Sequence, residues 1–97
     1  MNERRPTTLP ELNQLNEMLR IIKTTEPEAV AATDENVDAA NTFASHVASV
    51  MVDRANHCHL LHVDEVLAIE LKDWCNKVAE ATKIRRLMQM QTSGWRN

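Results

Sequence analysis

The residues best suited to chemistry in this chain crowd into one short stretch: His57, Cys58, His59 and His62. Imidazole and thiolate groups hold borderline divalent ions, zinc above all, which takes four such ligands in a tetrahedron. The spacing works against that centre. In a helix Cys58 and His62 share a face, as do His59 and His62, but His57 and His59 point apart. In an extended segment His57 and His59 align and His62 joins neither. No HExxH and no CxxC pair is present to complete a set. The competing reading is a polar turn whose histidines sit at a helix C-terminus and complement its dipole. The expectation is no cofactor, with zinc on His57, Cys58, His59 and His62 as the weaker alternative, which would make the chain a metal-responsive helical sensor.

A cysteine beside a histidine could also serve as a thiol nucleophile. That chemistry needs an activated thiolate, an oriented base and a hole of free backbone amides for the developing oxyanion. With one glycine, Gly94, close to the end of the chain, there is little loop from which to build the hole. Glu65, Glu70 and Asp73 read as a solvated helix face and do not form an acid–base couple. A non-enzymatic protein is expected.

Charge is distributed in blocks along the chain. Between Lys23 and Arg54 no Lys or Arg occurs, while Glu26, Glu28, Asp34, Glu35, Asp38 and Asp53 do; after Glu80 the sign reverses, with Lys83, Arg85, Arg86 and Arg96 and no acid. Acids at helix starts and bases at a helix end complement the macrodipole and need no further role. As docking surfaces, Glu28, Asp34, Glu35 and Asp38 would suit a basic protein partner. Lys83, Arg85, Arg86 and Arg96, with Trp95 to stack, would suit phosphate and base. The net charge of −3 disfavours a chain wrapped on nucleic acid along its whole surface. Charge reversal at Arg85 and Arg86 separates the two readings.

The elements that must position these groups are helical. In 97 residues with a hydrophobic share of 43%, a single glycine, no tyrosine and one phenylalanine, the turn and aromatic residues of sheet proteins are scarce. Thr8-Leu9-Pro10-Glu11 is a capping box with proline in the first turn, and Leu12, Leu15, Leu19 and Ile22 follow on one face, predicting a helix from about 9 to 23. Thr25-Glu26-Pro27-Glu28 repeats the device and starts a second helix, with a kink or restart at Thr33, Asp34 and Glu35. Its seam is Val30, Val37, Ala44, Met51 and Cys58, interleaved with Thr33, Ala40, Val47 and Arg54. A turn is expected at 56–59. A third helix then carries Leu67, Leu71, Trp74, Val78, Ala81 and Met88 on one face to about Gln91, where Thr92, Ser93 and Gly94 end it.

The expected fold is all-α: three helices, or four with the break at 33–35, built on a long antiparallel hairpin and dimeric. Residues 1–7 are expected as a flexible arm, 8–91 as one helical domain and 92–97 as a short tail. No stretch has the apolar length of a secretory signal or a membrane span, and two cysteines without a disulfide pattern fit the cytoplasm. Leu87, Met88, Met90 and Trp95 form an adaptable apolar end to the third helix that one hairpin does not cover. They mark the expected site for a second copy or a protein target. The function expected is a small interaction factor: an adaptor, accessory protein or inhibitor. Size alone suggests the kind that phages and mobile elements encode. A nucleic-acid-binding accessory protein is the alternative.

Overall fold

The computed structural model describes the backbone of residues 4–95 and the side chains of residues 4–91. Four helices follow in order: α1 (Leu9–Thr24), α2 (Pro27–Val30), α3 (Asp34–His57) and α4 (His62–Trp95). Among the described residues the one β feature is an isolated parallel bridge between Arg5 and Cys58.

Helix α1 starts where its capping residues direct. Glu11 Oε2 accepts from the Thr8 amide at 2.9 Å, Pro10 lies in the first turn, and Leu15, Met18 and Ile22 form the buried face. Thr25, expected as the next N-cap, instead closes α1: its amide donates to Ile21 O at 3.0 Å, and Glu26 takes the N-cap of α2. Helix α2 is a single turn. It ends because Thr33 offers a better start one residue ahead of Asp34 and Glu35: Thr33 Oγ1 accepts from the Asn36 amide at 3.1 Å, and α3 begins there. The break anticipated at 33–35 is thus a full restart. Helix α3 persists through His57, so the turn falls at 58–61, slightly later than expected.

Helix α4 contains 34 residues, about 51 Å at 1.5 Å per residue, in a molecule measuring 65 × 26 × 18 Å. It continues through Thr92, Ser93 and Gly94 to Trp95, where the sequence reading placed a tail. Serine, threonine and glycine weaken a helix by a fraction to about 1 kcal/mol each. Only proline would forbid it, and none follows Pro27.

Contacts between chain ends fix the topology. Asp34, opening α3, pairs with Arg85 late in α4, while Arg54, late in α3, pairs with Asp64 in the first turn of α4. These two helices are therefore antiparallel. Helix α1 runs parallel to α4, from Glu11 near Arg54 to Thr25, whose carbonyl accepts from Trp74 Nε1 at 3.0 Å. Every other helix packs on α4. The core joins Leu15, Met18 and Ile22 of α1 to Ala40 and Val47 of α3 and to Leu67, Leu71, Trp74 and Val78 of α4. Phe43 meets Trp74 edge-on, centroids 6.1 Å apart.

Candidate functional site

The His/Cys turn does not gather into a centre. Cys58 is fully buried at the C-cap of α3, its backbone extended beside Arg5. His57, His59 and His62 are exposed; His57 Nδ1 lies 3.1 Å from the Asp53 carbonyl, and the His62 ring is 4.0 Å from Glu65. No group of three or more His, Cys, Asp or Glu disposed to hold a metal occurs among the described residues. Cys75 is half-buried, and burial pushes its thiol above the usual range, away from an activated thiolate.

Residues 5–7, expected as part of a loose arm, are stitched to this turn. The Arg5 amide donates to His57 O at 2.9 Å, the His59 amide to Arg5 O at 3.1 Å, and Thr7 Oγ1 to His59 O at 3.1 Å. Beneath them lies the one buried ion pair in the structure's described part. Arg54 Nε and Nη2 donate to Asp64 Oδ1 and Oδ2 at 2.5 and 2.8 Å, with the two side chains 3% and 8% exposed. Nη2 also donates to Thr7 Oγ1 at 3.1 Å, and Asp64 Oδ2 accepts from the Leu61 amide at 2.7 Å, which caps α4. The hydrogen bonds from Arg54 and then from Leu61 hold the Asp64 carboxyl below its ordinary range, and Asp64 raises Arg54. Arg54 Nη1 makes no hydrogen bond and faces Glu11 Oε2 at 4.0 Å. This clasp joins the N-terminal segment, α1, α3 and α4. Arg54 was legible as a seam position; the available signal for its burial was an arginine in a stripe of small apolar residues.

The acidic middle and the basic end meet each other. Arg85 Nε donates to Ala31 O at 2.5 Å, capping the α2 turn, and its Nη2 pairs with Asp34; Arg86 reaches the same carboxylate at 3.4 Å. Arg85 holds Asp34 below its ordinary range, with Arg86 assisting. Among the acidic docking candidates Asp34 is therefore internally paired, while Glu28, Glu35 and Asp38 are exposed. Among the cationic candidates Arg85 is a clamp with an 18% exposed side chain, while Lys83 and Arg86 are exposed. Arg96 and the Trp95 side chain lie outside the described residues.

Helix α4 carries apolar side chains on two faces. One is the core face. On the other, Ile69 and Leu87 are 62% and 49% exposed and Met90 is exposed as well; Met88, also exposed, lies about 100° round the helix from Leu87, beside the groove between α2 and α4. From Arg86 to Gln91 every residue is exposed. Two grooves flank this half of the helix. One, of about 1060 Å³, lies between α2 and α4 and is lined by Ala31, Ala32, Ala81 and Ile84; the other, of about 400 Å³, lies between α3 and α4 and is rimmed by Lys83 and Arg86. The expected partner-binding residues Leu87, Met88 and Met90 thus share one exposed helix end. Ile69, outside the periodic core face and so without a signal in the sequence, is exposed on the same side nearer the start of α4. Comparison with protein-family models, curated proteins and solved structures finds no match to this chain. No helix among the described residues is long and apolar enough to cross a membrane.

Proposed function

We propose that the protein is a non-enzymatic interaction factor, an adaptor, accessory protein or inhibitor that docks the outer face of α4 on a macromolecular surface. The observation that carries this reading is the cluster of large apolar residues left exposed near the end of α4, Ile84, Leu87, Met88 and Met90, with Ile69 exposed further back along the helix. Methionine at a helix surface adapts to a partner with little loss of packing. Two unpaired cysteines, Cys58 and Cys75, fit a reducing compartment, and the cytoplasm is the proposed location.

The test is capture of partners by the tagged protein from an extract of its source, with and without nuclease. The wild-type chain should retain a stoichiometric protein after nuclease treatment, and Leu87→Ser with Met90→Ser should lose it. Retention that ends on digestion, and that responds to charge reversal at Lys83 and Arg86, would overturn the proposal in favour of nucleic-acid contact.

A further inference from the structure

The outer face of α4 is complementary to itself. Val66, Asp73, Glu80 and Leu87 recur every seven residues, and Ile69, Asn76, Lys83 and Met90 follow each of them by three. These are the two seam positions of a heptad register, apolar at both ends (Val66, Ile69, Leu87, Met90) and polar in the middle (Asp73, Asn76, Glu80, Lys83). The seam lies opposite the core face of Leu67, Leu71, Trp74 and Val78; of its members Val66 is half-buried and the rest are exposed. We infer that a second copy of this chain occupies the seam, with the two α4 helices antiparallel about a two-fold axis at the level of Val78. The inference rests on the reading of this face as a docking surface and names its occupant.

The register follows from the residues. With the axis at Val78, Ile69 faces the partner's Leu87 and Val66 faces the partner's Met90, so the apolar ends of the seam cover each other. In the middle Asp73 faces the partner's Lys83, and Asn76 faces the partner's Glu80. Each layer occurs twice by symmetry, over a seam of about 36 Å from residue 66 to 90. Sliding by one heptad either way sets apolar residues on polar ones: Leu87 on the partner's Asn76 in one direction, Ile69 on the partner's Glu80 in the other. A parallel pair in register sets Asp73, Glu80 and Lys83 each against its own copy. Glu80 would meet the partner's Lys83 in the first of these shifts, but only the proposed alignment covers all four apolar residues while also pairing Asp73 with Lys83; polar seam residues of this kind fix orientation at some expense of affinity. Lys83 makes no ion pair among the described residues; Asp73 makes an exposed one with Lys77 at 3.0 Å, of the kind that yields readily to a new partner.

Sedimentation equilibrium of four chains decides the matter, with circular dichroism confirming an unchanged fold. The wild type should form a dimer. Asp73→Lys and Lys83→Asp should each weaken it about tenfold or more, because each sets like charges together twice. The combined Asp73→Lys, Lys83→Asp chain should regain wild-type affinity within about threefold, since the pair is merely exchanged. A dimer indifferent to the single changes, or a combined variant no tighter than either, would overturn the register. A wild type monomeric up to millimolar concentration would overturn the second copy as occupant, yet leave the docking reading standing if Leu87→Ser still loses a protein partner.

Discussion

Replacing Asp64 by asparagine should cost this protein a large part of its stability, and the structure says how. Asparagine keeps an oxygen that can accept from the Leu61 amide, now at 2.7 Å, so the α4 cap survives. What is lost is the charge opposite Arg54, whose side chain is 3% exposed and which already has one nitrogen without a hydrogen bond. Leaving a buried guanidinium unpaired costs about 3–5 kcal/mol. A domain of this size has a total stability of about 5–15 kcal/mol, so Tm should fall by roughly 15–30 °C. Urea denaturation followed by circular dichroism measures it.

The pH dependence has a defined sign. The carboxyl of Asp64 lies below its ordinary range in the folded chain, so the unfolded chain takes up the proton first as acid is added. The stabilisation is full above the unfolded value of about 4 and drains away below it, and Asp64→Asn should flatten that acid limb. Replacing the pair together, Arg54→Met with Asp64→Leu, should recover most of the stability at neutral pH, because the unpaired charge is gone. A single Asp64→Asn chain with Tm within about 3 °C of wild type would refute the reasoning.

Three further outcomes follow from the same geometry. Leu15→Ala empties a fully buried site at the α1–α4 contact and should destabilise by about 2–5 kcal/mol in the same denaturation assay. Arg85→Ala removes the donor to Ala31 O and the partner of Asp34, so amides at the start of α3, Asn36 and Val37 first, should exchange hydrogen faster while those near Arg54 keep their protection. A thiol reagent at neutral pH should modify Cys75 slowly and Cys58 only on unfolding, the first half-buried with its thiol pushed up and the second fully buried.

Two of the three local start signals translated directly into structure, while the stop at 92–94 and the long-range pairings did not. Thr8 to Glu11 opens α1, and Thr33 opens α3, because capping is decided within four residues. Of the nine seam positions Val30, Val37, Ala40, Val47, Arg54 and Cys58 are buried and Ala44 and Met51 half-buried, since spacing sets a helix face, while Thr33 is exposed where it caps α3. Thr25 misled because the same residue type can close one helix or open the next; the Trp74 donor that fixes its carbonyl is 49 residues away. The meeting of Asp34 with Arg85, which turns two expected patches partly into one internal contact, depends on the antiparallel pairing of α3 with α4. Ile69 lies off the single apolar face that the periodicity of α4 defines, and an apolar residue opposite the core acquires meaning only when something else is to cover it.

The most direct test of the docking face is a peroxide oxidation time course read by mass spectrometry, comparing the dispersed chain with its assembled form. Met90, 69% exposed, should convert rapidly to the sulfoxide in the dispersed chain and be protected on assembly, while Met18, 4% exposed, stays slow in both. Met90 oxidising at the same rate in both states would contradict the claim that the protein works through the outer face of α4.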